Sequence, residues 1–329
     1  MILALESSCD DTCAAVVTDS GEIRSNVISS QAEHDLFGGV VPEVASRSHL
    51  VIINAVVDRA LADADIELGD VSLVAATQGP GLVGALLIGL TTAKALAGAR
   101  GLPFAAVDHL QGHVAANFLG PEPLEPPFLC LVVSGGHSFI ARVDRHDGFE
   151  VLGRTLDDAA GEAIDKGARL LGLPFPGGPH LERLAAEGDA VAFDFPIGRG
   201  VAGLDMSFAG LKTALLYAVR DLGEDEAQRR RADLAASYQH AIVEALAMRV
   251  QRAIAETGLD RVALGGGVAA NGPLRERIAG LGLSVFKVPP RELCTDNAAM
   301  IASAARFVTP ELFPDYLGLD VHATGEHAL

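Results

Sequence analysis

The chain has 329 residues, of which 49% are hydrophobic, so it is long enough for two domains of ordinary size, each with its own core. Its four cysteines form no CxxC pair and are too few for a secreted disulfide scaffold, which favours reduced thiols in the cytoplasm. The formal net charge of −18 opposes attraction to a polyanion and, taken alone, argues against a nucleic-acid substrate.

A β-hairpin is the first predicted element. Two apolar runs, ILAL and CAAVV, flank a small and acidic turn over residues 6–12 that carries Asp10 and Asp11. No basic segment precedes the first apolar run, so we expect no signal peptide.

The longest apolar stretch covers residues 73–98. Gln78-Gly79-Pro80-Gly81 interrupts it and Lys94 lies within it, which favours a buried strand, a loop and a helix over a membrane span. Apolar periodicity predicts helices over residues 50–64, 85–97, 157–171 and 232–257. Residues 120–127 contain four prolines, which neither continue a helix nor pair inside a sheet, so we predict the main domain boundary there.

Two histidines, His109 and His113, are four residues apart, so on a helix they share one face and could share a metal ion. Position 110 is leucine, so the glutamate of a zinc-peptidase HExxH motif is absent. Asp296, before a predicted helix, could complete the site. The alternatives are stacked or solvated histidines and an aspartate that caps its helix.

The second half of the chain contains two more glycine-rich turns. A second hairpin is predicted over residues 128–143, with Ser134-Gly135-Gly136-His137 at its turn, and residues 261–281 predict a strand, a glycine turn and a helix that begins at Pro273. Such turns present backbone N–H groups to phosphate oxygens, although each could equally be a plain turn. Three of them together are typical of the actin/Hsp70/sugar-kinase architecture.

Two charged clusters leave their roles open. A short helix from Asp157 to Lys166 would place Asp158, Glu162 and Asp165 on one face, as an exposed acidic surface or with Asp165 accepting hydrogen bonds from substrate hydroxyls. The triplet Arg229-Arg230-Arg231 is either a solvated helix face or a phosphate contact.

Ten segments in one order carry a resemblance to a known family. They are ESSCDDT at Glu6, GGVVPEVASRSH at Gly38, GPGLVGALLIG at Gly79, HLQGH at His109, LVVSGGH at Leu131, DDAAGEAIDK at Asp157, PFPGGP at Pro174, LDMSFAGLKT at Leu204, GGGVAAN at Gly265 and CTDNAAM at Cys294. Over nearly its whole length the chain resembles the universal tRNA threonylcarbamoyladenosine transferase family in its bacterial form.

The resemblance implies an α/β, two-lobed actin/Hsp70/sugar-kinase fold with a duplicated domain and a ligand in the interlobe cleft. The N-terminal lobe would span residues 1–127, with residues 302–329 returning to it, and the C-terminal lobe residues 128–301. It also implies transfer of threonylcarbamoyl from threonylcarbamoyl-AMP to N6 of the adenosine beside the anticodon, in tRNAs that read codons beginning with A, with release of AMP.

The family's site residues can be carried over by position. The implied metal ligands are His109, His113 and Asp296, holding one divalent ion, Fe²⁺ by preference or Zn²⁺. Asp10 and Asp11 fall in the catalytic loop. The implied substrate contacts are Val132, Val133, Ser134, Gly135, Gly136, Asp165, Gly178, Glu182 and Asn271.

The implied partners are tRNA, an inactive paralogue in a heterodimer and a small P-loop ATPase, with no membrane association. The chain departs from the family pattern at Asp11, Met206 and Ala209 and in its tail, VHATGEHAL, which lacks the family's frequent arginine-proline ending. Three alternatives remain: a metallopeptidase, a carboxylate or sugar kinase of the same architecture, and a non-catalytic paralogue. The HxxxH pair is the feature that discriminates among them.

Overall fold

A computed structural model describes residues 1–323, so the last part of the unusual tail, residues 324–329, lies outside the described residues. The chain divides into two compact units. The first comprises residues 1–126, 144–149 and the segment from Pro289 onward, and the second comprises residues 127–143 and 150–288.

The first unit is built on a five-stranded sheet. Its elements are β1 (Ile2–Glu6), β2 (Asp11–Val17), β3 (Ile23–Ser30), α1 (Pro42–Asp63), β4 (Leu73–Gly79), α2 (Val83–Arg100), β5 (Phe104–Asp108) and α3 (His109–Ala115). The strand order is β3-β2-β1-β4-β5. The predicted first hairpin is confirmed, since β1 pairs antiparallel with β2 and Leu5 lies opposite Ala14.

The second unit repeats this plan. Its elements are β6 (Phe128–Val133), β7 (Ser138–Arg145), β8 (Gly148–Arg154), α4 (Ala160–Leu170), α5 (Gly177–Ala185), α6 (Ala209–Leu222), α7 (Glu224–Arg229), α8 (Arg231–Thr257), β9 (Arg261–Gly265), α9 (Gly272–Ala279) and β10 (Val285–Lys287). The order β10-β9-β6-β7-β8 mirrors the first sheet. In both, the central strand pairs antiparallel with its hairpin partner and parallel with a later strand, as a duplicated domain predicts.

The chain then returns to the first unit through α10 (Arg291–Cys294) and α11 (Ala298–Ala305). We predicted this return at residue 302, and the structure has it earlier, at Pro289. The reason is packing: α11 is buried along its length and lies against α3, β1 and β2, so it belongs to the first core.

Helix α2 is long and apolar enough to cross a membrane by length and composition alone. It connects β4 to β5, which are hydrogen-bonded parallel neighbours in one sheet, and it packs on β4 and α1. Parallel neighbours need such a crossover helix, so the predicted strand, loop and helix are confirmed.

Candidate active site

The histidine pair lies on α3, which begins directly at the end of β5. The carboxylate of Asp108 caps this helix by accepting hydrogen bonds from the backbone N–H groups of Leu110 and Gln111, at 2.8 and 3.0 Å. The cap fixes where the helix starts, so His109 and His113 project from one face, with ring centroids 4.7 Å apart. The prediction that both rings share a helix face is confirmed.

Asp296 completes the cluster from the loop before α11. Its Oδ1 lies 3.6 Å from Nε2 of His109 and 3.4 Å from Nε2 of His113. The alternative role for Asp296, a helix cap, is wrong, because its neighbour Asn297 caps α11 by accepting a hydrogen bond from the N–H of Met300 at 2.9 Å. One ligand atom from each of His109, His113 and Asp296 fits within 4.8 Å of the others.

His113 gives an independent sign that a cation fits here. Its side chain is fully buried, and within residues 1–323 neither ring nitrogen has a hydrogen-bond partner. An unsatisfied buried polar atom costs about 1–3 kcal/mol. A divalent ion at Nε2 would satisfy that atom, and two imidazoles with one carboxylate suit Fe²⁺ or Zn²⁺ and leave coordination positions open.

Glu6 is a site residue that the sequence analysis missed. It is buried at the end of β1, and its Oε2 lies 3.0 Å from Nδ1 of His109 and accepts a hydrogen bond from the hydroxyl of Thr77 at 2.6 Å. The backbone N–H of Ser8 donates to the other carboxylate oxygen. Because a carboxylate only accepts, Nδ1 of His109 carries the hydrogen of this bond, and Nε2, which faces Asp296, is the nitrogen that would offer its lone pair to a bound ion.

The charges of this pair support each other. Burial raises the pKa of Glu6, but the charge and hydrogen bond of His109, together with the hydrogen bond from Thr77, hold the pKa of Glu6 below its ordinary value. Burial would lower the pKa of His109, yet Glu6 and Asp296 raise it to about 9. Without a metal, the carboxylates therefore keep His109 protonated at neutral pH.

The predicted catalytic acids lie in the same unit. Asp11 is the first residue of β2, opposite Ser30, and it is half-buried like Asp10. Burial raises the pKa of Asp11 to about 7, and the negative charges of Asp296 and Asp10 add to the effect. The turn thus places acidic groups within electrostatic reach of the His109, His113 and Asp296 cluster.

The predicted substrate contacts lie in the second unit, beginning with the turn between β6 and β7. Val132 and Val133 are buried at the end of β6, and the N–H of Ser134 donates to the carbonyl of His137 at 2.8 Å. Gly135 and Gly136 have ordinary φ angles, and no described atom lies within 4 Å of a Cβ built on either. The space beside the turn is therefore open to a ligand.

The acidic segment differs from the prediction. Helix α4 begins at Ala160, so Asp157 and Asp158 precede it. Asp157 accepts hydrogen bonds from the first N–H groups of α6, and Asp158 and Glu162 both pair with Lys166 at 2.8 and 2.9 Å. The prediction of four acids on one helix is wrong, because the two aspartates serve as a cap and an ion-pair partner instead.

Asp165 and Gly178 meet at the start of α5. Asp165 accepts a hydrogen bond from the N–H of Gly177 at 2.8 Å, and burial raises the pKa of this carboxyl. Within residues 1–323, a Cβ at Gly178 would meet only Ile164, at 3.9 Å. Asp165 therefore holds the helix start in place, and its role toward a substrate stays a prediction.

Glu182 and Asn271 are brought together at the start of α9. The amide of Asn271 donates to Glu182 at 3.0 Å and to Gln239 at 3.1 Å, while Gly272 N–H donates to the other oxygen of Glu182. Gln239, on α8, is a second residue that the sequence analysis missed. A cavity of about 560 Å³ opens beside Glu182 and Gln239, a volume suited to a small ligand.

Known proteins resemble this chain along most of its length. The family model for tRNA N6-adenosine threonylcarbamoyltransferase matches residues 22–303. A protein of that name from Clostridium botulinum strain 657 is 50% identical over 312 residues, which cover 93% of this chain and 92% of the relative. Another, from Caldicellulosiruptor saccharolyticus, is 48% identical over 311 residues with the same coverage.

Solved structures support the fold at lower identity. HypF from T. kodakarensis matches with a TM-score of 0.63 at 16% identity, over 92% of this chain and 47% of that one. Component A of (R)-2-hydroxyglutaryl-CoA dehydratase from Acidaminococcus fermentans matches with a TM-score of 0.54 at 16% identity, over 93% and 95%. These likenesses confirm the predicted actin/Hsp70/sugar-kinase type of α/β fold.

Proposed function

This chain belongs to the tRNA N6-adenosine threonylcarbamoyltransferase family, and from that premise we propose that it moves threonylcarbamoyl from threonylcarbamoyl-AMP to N6 of the adenosine beside the anticodon. The acceptors are cytoplasmic tRNAs that read codons beginning with A, and AMP is released. Membership of this family argues against the metallopeptidase, the kinase and the non-catalytic paralogue that the sequence analysis left as alternatives. The observation that carries the proposal is the cluster of buried His109 and His113 with half-buried Asp296, in which the ring of His113 has no hydrogen-bond partner among residues 1–323.

His109, His113 and Asp296 would hold one divalent ion, and we propose Fe²⁺, with Zn²⁺ as the alternative. When bound, the ion supplies a Lewis acid that polarises the oxygens of the acyl-adenylate. Glu6 orients His109 through Nδ1 and so keeps Nε2 available. Asp11, with a pKa raised to about 7, has the proton affinity that a general base for the N6 amine needs near neutral pH.

The second unit would bind the adenylate part of the donor. Backbone N–H groups at Gly135 and Gly136 can donate to phosphate oxygens without any lysine or arginine, while the N–H of Ser134 holds the turn by donating to His137. Glu182, already fixed by Asn271 and Gly272, retains lone pairs that can accept hydrogen bonds from ribose hydroxyls. The leaving AMP is stabilised by these donors, so no covalent enzyme intermediate is needed.

The metal assignment can be tested by replacing each ligand. We expect His109→Ala, His113→Ala and Asp296→Ala each to lose bound iron or zinc and most transfer activity, because three ligands define one site. The matched control is Asp225→Ala, which changes an exposed aspartate on α7, away from the candidate site. Metal content by elemental analysis and transfer from threonylcarbamoyl-AMP to tRNA are the measurements. Full metal content and activity in folded Asp296→Ala protein would remove Asp296 from the site.

We further propose that tRNA binding needs a partner, because Arg47, Arg142, Arg145, Arg229, Arg230 and Arg231 offer at most a local basic strip and most of them already pair with acids. Arg47 pairs with Glu43, Arg145 with Asp147, Arg229 with Glu226 and Arg230 with Asp233, and Arg231 donates to the carbonyl of Leu171. With a net charge of −18, the isolated chain should bind tRNA weakly wherever counterion release dominates affinity.

The partner we propose is an inactive paralogue that docks on α1 and α2. These helices pack side by side and expose Leu50, Val51, Val83 and Leu87, with Val51 84% exposed. Clustered exposed apolar side chains are typical of a protein interface. A P-loop ATPase would act on the heterodimer. The test is tRNA affinity across a salt series for the chain and for the heterodimer, and equal affinities with equal salt slopes would contradict a shared surface.

A further inference from the structure

His49 lies on the inner side of α1 and is fully buried. Its Nδ1 is 2.7 Å from the hydroxyl oxygen of Thr12, and its Nε2 is 3.0 Å from the carbonyl oxygen of Cys9. The ring therefore contacts two points of the chain that are three residues apart.

The two hydrogen bonds have a fixed direction. A carbonyl oxygen only accepts, so Nε2 of His49 carries the hydrogen and donates to Cys9. Nδ1 then has a lone pair and accepts from the hydroxyl of Thr12. Burial lowers the pKa of His49, which agrees with a neutral ring that has one donor and one acceptor.

The bonded residues flank the acidic turn. Cys9 precedes Asp10 and Asp11, and Thr12 follows them, so His49 is bonded on both sides of the pair. Between Glu6 and Asp11 the chain belongs to no strand. Like charges on adjacent residues favour an open turn, and two buried hydrogen bonds oppose that opening.

We propose that His49 is a positioning residue that holds Asp10 and Asp11 in the conformation used for transfer. This rests on the proposed role of the two aspartates. His49 is assigned no contact with substrate or with a metal ligand, and it acts only through its bonds to Cys9 and Thr12.

A buried histidine could instead merely stabilise α1, so the test needs variants of Thr12 as well. Thr12→Val keeps the shape and removes the hydroxyl, whereas Thr12→Ser keeps the hydroxyl. We expect Thr12→Val to lower kcat about tenfold, the effect of roughly one buried hydrogen bond, with KM unchanged. His49→Leu should do the same, and Thr12→Ser should stay near the original kcat with the same metal content.

The double variant Thr12→Val with His49→Leu separates positioning from general destabilisation. If both changes remove one shared interaction, the double variant should be no slower than the slower single variant. The proposal would be overturned if the double variant lost kcat by the product of the two single losses, or if folded Thr12→Val protein kept full kcat.

The thiol of Cys9 gives a second measurement that does not depend on transfer. It is half-buried, and burial together with Asp10 raises its pKa, so it should react slowly with a thiol reagent while the turn is held. Cys13, Cys130 and Cys294 are buried. We expect Thr12→Val and His49→Leu to label at Cys9 at least about tenfold faster, in parallel with the loss of kcat. Unchanged labelling of Cys9 in both variants would refute the positioning role of His49, even if the protein had another activity. Faster labelling in the variants of a protein that shows no transfer activity would refute the proposed function alone.

Discussion

Replacing Glu6 with glutamine tests how the metal site is organised. The carboxylate accepts from three donors: the N–H of Ser8, the hydroxyl of Thr77 and Nδ1 of His109. Glutamine has one oxygen and one NH₂ group. If its NH₂ faces His109, two donors meet and the ring must move its hydrogen from Nδ1 to Nε2, which blocks the metal-binding atom. If its NH₂ faces Ser8 instead, a buried N–H loses its acceptor.

The expected loss follows from this conflict. Removing a carboxylate that orients a metal-binding histidine lowers metal affinity about 10–100-fold, or roughly 1.4–2.7 kcal/mol. The assay is competition with a chelator for Zn²⁺ or Fe²⁺ under anaerobic conditions, with circular dichroism to check the fold. Thr77→Val is the matched control, because it removes one donor but leaves the carboxylate facing His109, and we expect only about a two- to fivefold loss. Wild-type metal affinity in folded Glu6→Gln protein would refute the tautomer reasoning.

Three further predictions concern other parts of the molecule. Gly136→Val should weaken AMP binding at least about tenfold without lowering Tm, because the backbone at Gly136 is unstrained and the space beside it is open. Gly161→Ala should instead cost about 1–3 kcal/mol of stability, because its Cβ would collide with the carbonyl of Ser134. AMP titration and calorimetry measure the two effects, and unchanged AMP affinity in Gly136→Val would contradict the ligand site. Val51→Lys should weaken binding of the paralogue at least about tenfold in a pull-down titration. Val191→Lys changes a similarly exposed valine in the second unit and should leave paralogue binding unchanged. Equal effects of the two variants on paralogue binding would remove α1 from the interface. Burial raises the pKa of Asp11 from 3.8 to about 7, so the contribution of this group to stability is present below pH 3.8 and is lost as pH rises through about 7. Asp11→Asn should therefore resist urea better than wild type at pH 8 but not at pH 4. A stability difference that is the same at both pH values would contradict the raised pKa.

Local patterns in the sequence predicted much of the fold. Both hairpins and the strand, turn and helix near Pro273 are confirmed, because each depends on apolar runs and turn residues within about 20 positions. Helix α1 begins at Pro42, earlier than the predicted residue 50, because proline is favoured in the first turn of a helix and residues 42–49 continue it. Helix α4 begins later than predicted, at Ala160, because the Asp157 carboxylate accepts hydrogen bonds at the start of α6, far along the chain.

The candidate site was only partly predictable for the same reason. His109 and His113 are close in sequence, so their shared face follows from helix geometry alone. Glu6 gives no such signal, because an acid at the end of an apolar strand is typical of an exposed turn. Its burial depends on Thr77 and His109, which come from other strands and helices far along the chain. Only the tertiary structure brings these donors to the carboxylate.

The return of the chain at Pro289 has a consequence for how the protein is made. During synthesis, β1 to α3 leave the ribosome first, followed by the whole second unit, and only then by Asp296 and α11. The second unit can fold while the first still lacks its last core helix, since domains fold in order as they emerge. Asp296, the third of the proposed metal ligands, is therefore synthesised only after the whole second unit. A chain terminated before Pro289 would retain both histidines but lack this carboxylate, so we expect it to bind a divalent ion less tightly than a chain that contains all three residues.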